Sequence, residues 1–270
     1  MTSSSILNYL LGQYELFLLV MALLAIIVFI ALSFIEVGYG ITINKKWGVA
    51  INNKIAWFCM ETPVFILMTV LCFSSSRMIP FNLSTSLVPF IIFLFFQTHY
   101  IRRSFIFPFL LRGKSKMPVT VMLMGVLFNL CNAFMQGGWL FYKSPECMYS
   151  IDWLWTPQFI IGVIIFFGGM ALNIQSDKII LDLRKPGDTK HYLPSKGFFR
   201  YVTGAHYFGE VIEWVGFAIL TWSVSGAVFA LWTFANLVPR ANAIYNKYKK
   251  MFGEEMIKEK KLKRIFPYIY

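Results

Sequence analysis

The chain is 270 residues long, 57% hydrophobic and 18% aromatic, with 14% charged residues and a mean hydropathy of +0.62. An ordinary soluble domain carries about a quarter charged residues, so this composition excludes one and points to an all-α, multi-pass membrane protein. The net charge of +12 would suit a nucleic-acid binder, but its distribution along the chain argues otherwise.

Apolar segments lie at about 16–34, 55–73, 87–101, 119–142, 157–174 and 205–239. Most come close to, or pass, the roughly 20 residues that cross a bilayer core as a helix. The first lacks a basic region before it and a small-residue cleavage site after it, so it reads as a retained helix rather than a signal peptide. Lys45, Lys46 and Lys54 follow the first segment, and Arg77 alone follows the second. Arg102, Arg103, Arg112, Lys114 and Lys116 follow the third, Lys143 alone the fourth, and six basic residues from Lys178 to Arg200 the fifth. Nine more lie from Arg240 onward, so the alternating sets hold 23 and 2 basic residues. Positive residues remain cytoplasmic, which places the N-terminus outside and the C-terminus in the cytoplasm. Basic segments flank 205–239 on the same side, so it must cross twice, with a turn near Ser223–Gly226. Seven transmembrane helices in a single domain over 1–270 are expected. Topology accounts for the basic excess without nucleic acid, and it leaves a cytoplasmic face suited to an anionic ligand.

Polar residues inside the apolar segments are the functional candidates. A charged group at a helix centre costs about 2.5–3.5 kcal/mol on insertion scales, and Glu61, Glu210 and Glu213 all fall inside predicted spans. Glu61 stands two residues before Pro63 in "AWFCMETPVF", where a proline bends the helix and frees a carbonyl. "FFQTHYIRR" ends the third segment with Gln97, His99 and Tyr100 ahead of two arginines, and "GAHYFGEVIEW" sets His206 and Glu210 among glycines. Those glycines serve either close helix packing or the approach of a flat ligand. After the fifth segment, "LNIQSDKIILDLRKPGD" mixes Asn173, Asp177 and Asp182 with Lys178, Arg184 and Lys185, more than a positive-inside loop requires. No GxGxxG or GxxxxGK[ST] phosphate motif is present. Cys59, Cys72, Cys131 and Cys147 show no CxxC spacing and the three histidines no metal-ligand spacing, so no metal site is expected.

These stretches, with "HYIRRSF" and the terminal "FPYIY", closely resemble the steroid 5α-reductase family over about residues 38–270. The resemblance implies seven transmembrane helices and NADPH-dependent reduction of the Δ4 double bond of 3-oxo steroids. It implies that Glu61 and Tyr100 bond the steroid 3-keto oxygen. It also implies that Asn173, Asp177 and Arg184 hold the cofactor together with Tyr39, Lys114, Glu210, Arg240 and Tyr248. Lys114 replaces an arginine of the family, Met60 a glutamine, Met124 an arginine and His206 an asparagine, departures that bear on which steroid is accepted.

Reduction of an enone needs hydride at the β carbon, an electrophile at the carbonyl oxygen and a proton at the α carbon. The cofactor carries the hydride, and Glu61 and Tyr100 would stabilise charge developing on oxygen. The expected partners are a steroid entering from lipid and the membrane itself, with the protein a monomer in a bacterial cytoplasmic or endoplasmic reticulum membrane. Polyprenol or trans-2-enoyl-CoA reduction is the alternative chemistry. A transporter is the alternative class, against which no inverted repeat is visible.

Overall fold

A computed structural model describes residues 3–35, 47–112, 115–185, 188, 190–253 and 261–270. A short helix α1 (Ser3–Gly12) leads into α2 (Tyr14–Phe34), the most apolar helix, whose lack of internal polar groups suits it to a lipid face. A two-stranded antiparallel ribbon, β1 (Ala50–Asn52) with β2 (Lys116–Pro118), ties together the starts of α3 (Asn53–Phe73) and α6 (Val119–Gly138). The Asn52 side chain caps α3 by accepting from the Lys54 amide at 2.9 Å, satisfying one of the donors a helix start leaves open. Between these two helices, α4 (Leu87–Ile101) passes through a π-helical turn (Arg102–Ile106) into α5 (Phe107–Leu110). A second π turn, Trp139–Lys143, extends α6. Such turns insert a residue into the helix and recur at functional sites; here the first carries Arg102 and Arg103.

α7 (Pro157–Asp182), α8 (Ala205–Thr221) and α9 (Val224–Phe252) complete the bundle. The predicted 205–239 segment is split into two helices, as expected, but the break falls slightly earlier than Ser223–Gly226. Trp222 takes a left-handed conformation (φ 46°) and the Ser223 hydroxyl caps α9 by accepting from the Gly226 amide at 3.0 Å. Ser225 and Gly226 therefore lie inside the first turn of α9, with Ser225 wholly buried, while Trp222 is 64% exposed. Among the described residues, four helices are long and apolar enough to cross a membrane: Tyr14–Phe34, Asn53–Phe73, Val119–Lys143 and Pro157–Asp182. α4 has 15 residues before its two arginines, α8 has 17 including two glutamates, and α9 runs on into a basic stretch.

The tightest contact in the bundle is between α7 and α8, and it answers the question the glycines raised. A Cβ on Gly209 would strike the Asn173 backbone, and one on Gly169 would strike the Glu213 backbone. These glycines allow two backbones to touch, and the touching points are residues of the polar centre. Gly209→Val is expected to force α7 and α8 apart. It should lower the melting temperature of the detergent-solubilised protein by several degrees, on a scale of about 1–3 kcal/mol for overpacking, as read by thermal scanning fluorimetry.

Candidate active site

α3, α4 and α6 meet around a polar centre set in an apolar bundle. Asn129 on α6 donates to the Met60 carbonyl at 2.8 Å and to Glu61 Oε2 at 3.1 Å, fixing the carboxyl group where α3 carries it inward. One turn on, Asn132 donates to the Tyr100 hydroxyl at 2.9 Å. Asn132 is itself tied to Gln136, which donates to it at 3.4 Å and to the Ser225 carbonyl at 3.0 Å. Because the Tyr100 oxygen accepts from Asn132, its own O–H is available to donate elsewhere. Phe96 and Trp214 rings lie 4.7 and 6.0 Å from the Tyr100 ring and hold it in place.

Glu61 and Tyr100 face a cavity of about 400 Å³, within the roughly 300–1,000 Å³ usual for small-molecule sites. Apolar side chains form most of its wall, among them Leu24 and Val28 of α2, Leu127 and Phe128 of α6, and Phe229 and Trp232 of α9. Met60 and Met124, two of the departures from the family pattern, line it as well, whereas His206 does not.

One end of the cavity is cationic. Arg103 and Arg240 line it together with Glu210. Arg102 donates to Asn173 Oδ1 at 2.9 Å and to Asp177 Oδ2 at 2.6 Å. Arg103 donates to Glu210 Oε2 at 3.1 Å, approaches Asp177 at 3.7 Å and lies 4.6 Å over the Trp57 ring. Asn173 returns a bond to the His206 carbonyl at 2.9 Å. Asn173 and Asp177 thus hold the two arginines of the π turn in place, an arrangement the sequence did not disclose.

The other predicted cofactor residues are more dispersed. Arg184 lies beyond the end of α7, where it donates to His191 Nδ1 at 2.6 Å while its carbonyl accepts from Arg112 at 2.8 Å. Tyr248 is buried farther along α9 in a separate apolar cluster with Leu262 and Ile265. Tyr39 and Lys114 lie outside the described residues. Residues that sequence reasoning missed as site members are Asn129, Asn132, Arg102 and Arg103. The asparagines had a signal, since amides three residues apart fall on one face of an otherwise apolar helix.

A family model described as 3-oxo-5-alpha-steroid 4-dehydrogenase matches residues 115–270. The chain belongs to this family. It is 43% identical over 175 residues to 3-oxo-5-alpha-steroid 4-dehydrogenase 1 of Homo sapiens, covering 65% of each chain. It is 36% identical over 235 residues to the protein of that name in Macaca fascicularis, covering 87% of this chain and 86% of the relative. It is also 35% identical over 257 residues to steroid 5-alpha-reductase DET2 of Gossypium hirsutum, covering 94% of this chain and 96% of the relative. Family membership makes the protein an oxidoreductase acting on a CH–CH group.

The fit of a nicotinamide cofactor is tested by the polar end of the cavity. Arg103 and Arg240 line that end with Glu210, and Arg102, next to Arg103, bonds Asn173 and Asp177. Guanidinium groups match phosphate geometry, so this end fits the phosphates of a dinucleotide.

In the basic loop after α7, burial, Arg184 and Lys247 hold the His191 imidazole below its ordinary 6.5. The unfolded chain binds this proton more readily than the native one. Its contribution to stability is therefore full above about pH 6.5 and is lost as pH falls toward the depressed native value. Histidine NMR should show His191 titrating below 6.5, and His191→Gln should flatten the fall in melting temperature between pH 6.5 and 5.

Proposed function

We propose that the protein reduces the Δ4 double bond of 3-oxo-Δ4 steroids to the 5α-dihydro products, with NADPH as cofactor. The observation that carries this reading is the pairing of Glu61 and Tyr100 on one apolar cavity, each fixed by an α6 asparagine. With Asn132 donating to its oxygen, Tyr100 directs its proton into the cavity, where a ketone oxygen can accept it. Glu61, held at Oε2 by Asn129, acts on the same oxygen as a protonated donor. Both groups stabilise charge as it develops on the oxygen, usually the largest catalytic term.

NADPH, when bound, supplies the hydride for the β carbon. Arg102, Arg103, Arg240, Asn173, Asp177 and Glu210 would hold its polar part beside the cavity, with Arg184 and Tyr248 farther along the same face. Tyr39 and Lys114 are proposed to complete the cofactor site. The preference for NADPH over NADH rests on the excess of cations, which suits the additional phosphate.

Lateral entry of the steroid is supported by the relation of α2 to α6. The two helices meet where the Tyr14 hydroxyl donates to the Met135 carbonyl at 2.5 Å and the Tyr14 ring lies against Gly138. Farther along, Leu24 and Val28 line the cavity together with Met124 and Leu127, which are 55% and 66% exposed, so the cavity borders the outer surface of the bundle there. We read the fold as seven crossings, with α4 and its continuation, α8 and α9 added to the four apolar spans. The N-terminus lies outside, the C-terminus and cofactor end lie in the cytoplasm, and the protein acts as a monomer.

Glu61→Leu should reduce kcat for a Δ4-3-oxo steroid by about 10²–10³, the usual loss for one such donor, while NADPH fluorescence quenching persists. Wild-type turnover by Glu61→Leu would overturn the assignment. For topology, a cysteine at Trp222 should react with an impermeant maleimide from the non-cytoplasmic face, whereas one at buried Ser225 should not. Labelling of Trp222→Cys only from the cytoplasm would reverse the orientation of α8 and α9.

A further inference from the structure

The carbonyl oxygen and the hydride leave one requirement of the reaction without a residue, the proton that must reach the α carbon. His99 and Glu213 form a buried pair with no other assigned role. His99 Nδ1 lies 2.7 Å from Glu213 Oε1, joining α4 to α8, and the residues are 6% and 0% exposed. Glu213 Oε2 has no hydrogen-bond partner among the described residues. A lone ionised carboxylate in such surroundings costs several kcal/mol. The pair is therefore neutral as a whole, either imidazolium with carboxylate or imidazole with carboxylic acid. In both forms it stores one transferable proton.

His99 also lines the cavity. With Nδ1 engaged by Glu213, Nε2 is the nitrogen it can present there. Its ring lies 5.0 Å from the Tyr100 ring and 4.7 Å from the Trp214 ring. The α carbon of a ketone is bonded to its carbonyl carbon, two bonds from the oxygen, so a ketone held by Tyr100 keeps that carbon in the part of the cavity that Tyr100 and His99 line together. The other ionisable groups around His99 are poorly suited to this transfer. Glu61 and Tyr100 are directed at the oxygen, and Arg103 does not release a proton near neutral pH. Glu210 accepts from Arg103 and Asn173.

We propose that His99, held by Glu213, donates the proton to the α carbon; this rests on the enone-reductase reading above. Hydride addition at the β carbon leaves an enolate. Its electron pair forms the new C–H bond at the α carbon, taking the proton from Nε2 as the carbon–oxygen double bond re-forms. His99 is left as neutral imidazole with Nδ1–H still donating to the Glu213 carboxylate, and a proton from water restores the pair. Glu213 is a positioning residue, since it acts through the imidazole.

The test uses the full-length protein in lipid nanodiscs with NADPH and a Δ4-3-oxo steroid. His99→Gln should lower kcat by about 10² or more, within the general-acid range of roughly 10²–10⁴, with steroid KM and NADPH binding unchanged in the folded protein. In His99→Gly, added imidazoles should restore turnover, more strongly as their acidity increases. Glu213→Gln should also lower kcat and shift the limb of the pH–rate profile that reports the imidazole. Wild-type kcat in His99→Gln would overturn the proposal, and so would a loss in His99→Gly that no imidazole restores. If His99→Gln does not fold, a Glu213→Gln variant with unaltered kcat and pH profile would overturn it equally. Wild-type protein that reduces no Δ4-3-oxo steroid would instead overturn the enone-reductase reading itself.

Discussion

Two adjacent arginines enter an apolar bundle at the end of α4, and much of the polar architecture follows from keeping them there. An uncompensated guanidinium group in such surroundings costs several kcal/mol. The π turn places Arg102 toward Asn173 and Asp177 on α7, and Arg103 toward Glu210 on α8 and the Trp57 ring on α3. Four helices are thus tied to one point, and Asp177 serves both arginines. The bridges hold the cationic end of the cavity in a fixed geometry, and guanidinium groups held in advance bind phosphate at a lower conformational cost.

The bridges require α7 and α8 to be unusually close. Gly209 meets the Asn173 backbone and Gly169 meets that of Glu213, so the same contacts that bring the helices together set the positions of an amide and a carboxyl group. α8 then presents Glu210 to Arg103 and, three residues on, Glu213 to His99. α4 presents His99 and Tyr100, and the π turn that continues it presents Arg103. Asn129 and Asn132 of α6 serve Glu61 and Tyr100. Helical spacing of three or four residues recurs in each set, which is how three wall-forming helices converge on one cavity.

An apolar site with a few fixed polar groups suits both parts of the proposed chemistry. Removal from water strengthens each hydrogen bond directed at a developing charge, and the surrounding Met, Leu and Phe side chains accept a rigid hydrophobic substrate. Met60 and Met124 stand on that wall, and unbranched, polarisable methionines adapt to irregular contacts.

The helices themselves were legible in the sequence. Every predicted apolar segment coincides with a helix, because apolar runs of that length with few charges have no other way to satisfy their backbone in lipid. The division of 205–239 followed from charge alone, and Glu61 and Asn173 stood out by polarity, whereas Tyr100 was singled out by the family resemblance. What the sequence could not disclose was pairing. Asn173 and Asp177 bond Arg102 across 71 and 75 positions of chain, contacts that no local pattern marks. His99 and Glu213, 114 positions apart, each looked like an isolated oddity. Periodicity shows which residues share one face of one helix; which faces meet is decided only when glycines let α7 and α8 touch and the remaining buried charges find their partners.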